Sequence, residues 1–131
     1  MMKKPLVVVI DPDSDLLTSL YQTLEEEGYA VATCPNGLDG LKYVCRNRPD
    51  GVVCGLDLPD VDALDLLRRV RQVLPEAAIL ALAALRQGYL YADVVRLGNA
   101  GMLSRLYAER ELRETVSRMI RRGKSYARVA P

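Results

Sequence analysis

The segment Pro49-Asp50-Gly51-Val52-Val53-Cys54-Gly55-Leu56-Asp57-Leu58-Pro59 decides the fold. Gly51 to Gly55 is a short apolar run with Pro49-Asp50 before it and an acidic, proline-containing loop after it. It reads as a buried strand running into a loop. Upstream, Leu6 to Ile10 is a second run of aliphatic, mostly β-branched residues, and it reads as a strand buried on both faces.

Between these runs lie helical patterns. Asp13 or Ser14 can cap a helix on which Leu16, Leu17, Leu20 and Leu24 recur, and Gly28 ends it. A short strand is predicted at 29–33. Asn36 then caps a helix carrying Leu38, Leu41, Tyr43, Val44 and Cys45. Downstream, the pattern predicts a helix from Ala63 to Val73, a strand from Ala78 to Ala83, a helix over 87–97 ended by Gly98, and a strand from Ala100 to Ser104. A last helix over 108–122 carries Leu112, Val116, Met119 and Ile120 on one face, and Gly123 is expected to end it. Strand and helix alternate five times, which implies an α/β protein with a five-stranded parallel sheet and helices on both faces. Such sheets place their chemistry at the carboxyl ends of the strands.

Composition removes several function classes. The 131 residues suit one domain, expected over 1–123 with a tail or the start of a linker over 124–131. Half the residues are hydrophobic, which excludes a disordered chain. A net charge of +1 gives no bulk pull toward nucleic acid or a membrane surface. There is no histidine, and the three cysteines, Cys34, Cys45 and Cys54, have no C-x-x-C spacing. A Cys/His zinc site, a His-activated nucleophile and a disulfide scaffold are therefore unsupported, and reduced thiols in the cytoplasm are expected. The apolar run after Pro5 meets Asp11-Pro12-Asp13 after five residues, too soon for a signal peptide or a membrane span. Asp11-Pro12-Asp13-Ser14 is not a dinucleotide fingerprint, and no G-x-x-x-x-G-K-[ST] loop occurs, so a nucleotide-binding enzyme is not expected.

Several linked features resemble the response-regulator receiver domains of two-component signalling. They are the acidic cluster after the first strand, Pro49-Asp50 before the third, and Pro59, Asp62 and Leu64 in the following loop and helix. Pro75 before the fourth strand and Gly98-Asn99-Ala100-Gly101 leading into the fifth complete the set. The resemblance covers residues 5–122 and implies a flavodoxin-like (βα)5 fold with strand order 2-1-3-4-5. It also implies five functional groups. Two adjacent acids after the first strand hold a hard divalent ion. An aspartate ending the third strand attacks the phosphoryl group, a hydroxyl ends the fourth strand, and a lysine ends the fifth.

Position by position, the chain departs from that pattern. The adjacent acids correspond to Asp11 and Pro12, with Asp13 a further position along. The acceptor position, four residues before Pro59, is Gly55. The hydroxyl position is Ala83, the lysine position is Arg105 followed by Leu106, and the aromatic of the fifth strand is Met102. Asp57 is the alternative acceptor, displaced by roughly 6–7 Å along a continued strand. No cofactor or metal is expected; Asp11 and Asp13 are the candidate magnesium ligands that remain. Asp11 and Arg105 are expected to pair across the emptied site, since Asp11 would otherwise be a partly buried charge without a counterion.

The expected product is a pseudo-receiver, not an enzyme, acting independently of phosphorylation as a regulatory or dimerisation module. Its partner would be a protein or a covalently linked output domain, with no nucleic acid or membrane bound by this domain. The face implied by the resemblance joins the fourth helix, fifth strand and fifth helix, where Tyr89, Tyr91, Asp93, Arg96, Met102, Glu109, Arg110 and Arg113 are the candidate contact residues. Two other readings are a receiver phosphorylated on Asp57, and a small-ligand sensor using space vacated near Asp11, Gly55 and Ala83.

Overall fold

The computed structural model describes residues 3–129, with side chains placed for residues 3–125. Five parallel strands, β1 (Leu6–Ile10), β2 (Ala30–Cys34), β3 (Gly51–Gly55), β4 (Ala78–Ala83) and β5 (Ala100–Ser104), form one sheet in the order β2-β1-β3-β4-β5. The helices are α1 (Ser14–Glu26), α2 (Gly37–Asn47), α3 (Ala63–Val73), α4 (Tyr91–Val95) and α5 (Glu109–Val129), with a 3-10 helix over Leu85–Leu90. This is the flavodoxin-like arrangement expected from the sequence.

The pleat sorts the strand residues between two layers. Val8, Ile10, Val52, Cys54, Ile79 and Ala81 pack against α2, α3 and α4, and Val7, Val9, Val53, Leu80 and Leu82 pack against α1 and α5. Burying each such Val, Leu or Ile side chain contributes about 1.5–3 kcal/mol, and together they hold the strand ends in fixed register. β3 sits between β1 and β4, with Ile10 level with Cys54 and Gly55 level with Leu82. The end of β3 is thus the middle of the C-terminal edge.

Three helices start where side-chain oxygens take up free N–H groups. Asp13 accepts from Asp15 and Leu16, Asn36 from Asp39, and Asp62 from Asp65. Each cap is typically worth about 1 kcal/mol. Gly28 ends α1 region at φ +93°, a left-handed conformation that glycine adopts without steric cost.

Three expectations are corrected. β2 begins one residue later than read, because Ala30 bonds to Pro5 and Tyr29 turns into the α1–α5 layer. The helix expected over 87–97 is instead the 3-10 helix followed by a five-residue α4. Gly88, in its interior, lowers helix propensity by about 1 kcal/mol relative to alanine. Gly123 does not end the last helix; α5 continues through it to Val129. There glycine serves close packing, since a Cβ would lie 2.3 Å from the carbonyl oxygen of Glu76. The expected tail is therefore helical over 124–129, while 130 and 131 lie outside the described residues. Among the described residues no helix is long and apolar enough to cross a membrane.

Candidate functional site

Asp11 directly follows β1 and is fully buried. Arg105 directly follows β5, its N–H bonded to the Ala83 carbonyl at 2.9 Å. The two strand ends are three strand spacings apart, about 14 Å. The arginine and aspartate side chains bridge that gap together, and they meet over Gly55, which has no side chain in the way. Its Nη1 donates to Asp11 Oδ2 at 2.7 Å and its Nη2 to Oδ1 at 3.1 Å, a two-point fork. The expected Asp11–Arg105 pair is present.

The electrostatics follow from that fork. The hydrogen bond to Asp11 raises the Arg105 pKa above its ordinary value, with burial working against it and the charges of Asp11, Asp13 and Asp57 adding to it. Asp13 uses its backbone N–H to donate to Asp11 Oδ1 at 2.9 Å, while its own carboxylate caps α1. Burial, then the Asp11 charge, pushes the neighbouring Cys54 thiol up to about 12, so it is not a nucleophile near neutrality.

Gly55 lies under the fork. A Cβ at this position would sit 1.8 Å from Asp11 Oδ2 and 2.8 Å from Arg105 Nη1. The space expected to be vacant near Asp11, Gly55 and Ala83 is thus filled, and the small-ligand reading of it is corrected. Pro12 contributes no ligand atom. Among the described residues, no group of three or more His, Cys, Asp or Glu side chains is arranged to hold a metal ion.

Asp57, two residues beyond β3, makes no hydrogen bond to this fork and has partners of its own. Its Oδ2 accepts from Arg86 Nη2 at 2.5 Å and its Oδ1 from Gln87 Nε2 at 3.1 Å. Sequence reasoning missed both partners. Their separations of 29 and 30 residues leave no local signal. Asp60 caps α2 across the loop, accepting from Gly37 and Leu38 at 2.9 and 2.8 Å. The Leu38 N–H lowers its pKa most, burial opposes this, and the Gly37 N–H and its own N–H add to the lowering.

The expected contact face divides in two. Tyr91, Met102, Glu111, Thr115, Arg118 and Arg122 line a groove of about 290 Å³ between α4, β5 and α5. Tyr89 is exposed on the 3-10 helix, and Asp93 pairs with Arg96 along α4 at 3.4 Å. The α5 residues expected there, Glu109, Arg110 and Arg113, lie on another side. Arg113 donates to Glu26 and Glu27 at 2.9 Å each, tying α5 to the end of α1, and Arg110 pairs with Glu114. At 100° per residue, 111, 115, 118 and 122 make one stripe of α5 and 110, 113 and 114 another, so the correction is one of helical phase.

Comparison with known proteins agrees with the geometry. Residues 7–117 match the family model described as the response regulator receiver domain, and the chain belongs to that family. It is a receiver domain of two-component signalling. It is 34% identical over 80 residues to the transcriptional regulatory protein PrrA of Mycobacterium tuberculosis, covering 61% of this chain and 34% of that protein. It is 28% identical over 116 residues to the alkaline phosphatase synthesis transcriptional regulatory protein PhoP of Bacillus subtilis, covering 88% of this chain and 48% of that one. The chain thus spans about a third to a half of these curated relatives. Among solved structures, the signal receiver domain of an HD domain-containing protein from Pseudomonas fluorescens superposes with a TM-score of 0.90 at 21% identity, covering 99% of this chain and 96% of that one. A receiver domain protein from Clostridium thermocellum gives 0.87 at 23%, covering 92% and 98%.

Proposed function

We propose that this chain is a pseudo-receiver: a receiver domain that works without phosphoryl transfer, as a regulatory or dimerising contact module. The observation that carries the reading is at Gly55. The end of β3 has no carboxylate, and the volume a side chain would need is taken by Asp11 and Arg105. Ala83 offers no hydroxyl, and Met102 replaces the aromatic of the fifth strand. The divalent ion implied by the family does not fit the residues present. Both Asp11 oxygens are taken by a guanidinium, and positions 12 and 55 hold no side-chain oxygen. The cation this site needs is already part of the chain.

The groove between α4, β5 and α5 is the proposed contact surface, with Tyr91, Glu111, Arg118 and Arg122 presenting an aromatic ring and both signs of charge. The partner is a second copy, another protein or a linked output domain. The greater length of the relatives, named as transcriptional regulators, supports the last of these. A regulator of this kind works in the cytoplasm, and this domain itself needs neither nucleic acid nor membrane.

The test is a titration with beryllium fluoride and magnesium, followed by amide NMR. No saturable shift is expected at residues 55–57, and a saturable shift centred on Asp57 would overturn the reading. Light scattering addresses the contact surface: a mass that rises with concentration in the wild type and not in Tyr91→Ala supports self-association. A monomer at every concentration removes that form of the proposal.

A further inference from the structure

We propose that Asp57, Arg86 and Gln87 form a latch that sets the conformation of the segment joining β4 to α4, and with it the placement of Tyr89 and Tyr91. Gln87 is one of the few polar residues buried here, at 4% exposure. Its amide works at both ends: Oε1 accepts from the Ala84 N–H at 2.8 Å and Nε2 donates to Asp57 Oδ1 at 3.1 Å. Arg86 supplies the second donor, to Asp57 Oδ2. One carboxylate therefore holds two consecutive residues of the 3-10 helix.

Apart from Leu90, which packs on the core at its end, little else holds the segment. Gln87 is its one buried residue, Leu85 is fully exposed, and Gly88 has nothing within 4 Å of where a Cβ would be. Asp57, by contrast, stands two residues beyond β3, whose five residues are all buried. The rigid member is the anchor and the loosely packed member is what it positions. Successive residues of a 3-10 helix project about 120° apart. Arg86 and Gln87, neighbours on this turn, take one oxygen each of the same carboxylate, so a change in the turn disturbs both bonds together. The helical pattern over 87–97 supplies the alternative conformation, a longer α4 that the latch holds off. A basic side chain on a partner, competing for Asp57, is the chemistry that would release it.

Hydrogen exchange on the intact chain tests this in Asp57→Asn and Arg86→Ala, compared with the wild type and without any phosphoryl donor. Arg86 is a surface residue, so its variant keeps the fold. Exchange at residues 84–91 is expected to quicken about fivefold in Asp57→Asn and about twofold in Arg86→Ala, with β3 and α5 unchanged. Unchanged exchange over 84–91, or equal acceleration throughout the domain, would overturn the proposal. The readout does not depend on phosphorylation. A beryllium fluoride response would sink the proposed function and leave this exchange pattern as it is.

Discussion

Asp11–Arg105 and Asp57–Arg86 are both aspartate–arginine pairs at the C-terminal edge of the sheet, with closest contacts of 2.7 and 2.5 Å. Distance alone would rank the second as the tighter. Exposure reverses that order: the side chains of the first pair are 0% and 25% exposed, and those of the second 58% and 70%. A buried carboxylate has no water to fall back on, so its arginine is obligatory. An exposed carboxylate exchanges its arginine for water and salt ions at little cost. The first pair fills the space over Gly55, and the second lies open to solvent.

Arg105→Ala breaks the buried pair and is expected to have the largest effect. It leaves Asp11 as a buried, unpaired charge and should cost about 3 kcal/mol, read from urea unfolding at pH 7. Burial without a counterion raises the folded-state pKa of that carboxyl above its unfolded value. The folded variant then binds the proton more tightly than the unfolded chain does. Its deficit relative to wild type should therefore shrink as pH falls through the raised value toward the unfolded one. A deficit independent of pH would mean that lost packing of the arginine stem, not the orphaned charge, sets the cost.

Gly55→Ala comes next. The added methyl group meets Asp11 Oδ2 at 1.8 Å, so the fork must shift or break, at a cost of about 1–3 kcal/mol. Combining it with Arg105→Ala should cost less than the sum of the two, because both disrupt one fork. Additive costs would show that Gly55 and the fork are independent.

Arg86→Ala is expected to change global stability least, by under about 1 kcal/mol, and the difference should vanish at 1 M salt. The deficit of Arg105→Ala should persist at the same salt. Equal salt responses of the two variants would erase the distinction between the pairs.

The legible parts of this chain were those with a local cause. Aliphatic runs marked β1, β3 and β4, and Asp13 and Asn36 announced their helices because capping is settled within three residues. The spacing from Gly55 to Pro59 set position 55 as the expected acceptor position. Asp11 and Arg105 were paired from the sequence because a buried acid at a strand end demands a cation and only one strand end supplied it. What was not legible depended on distant parts of the chain. Asp60 capping α2, Asp57 holding Arg86 and Gln87, and Gly123 lying against the Glu76 carbonyl join segments that no local pattern connects. Glu109, Arg110 and Arg113 were expected beside α4 and β5 because charge composition does not report helical phase, which only the docking of Leu112, Val116, Met119 and Ile120 onto the sheet sets.

The sequence by itself determined the strands, their burial and the absence of a carboxylate at position 55, because hydrophobic periodicity and residue identity are local properties. Tertiary structure decided what occupies that position. An arginine ending β5 reaches an aspartate ending β1 only when β3 and β4 lie between them with Gly55 and Ala83 at their ends. That strand order is set by how five helices cover two faces of one sheet.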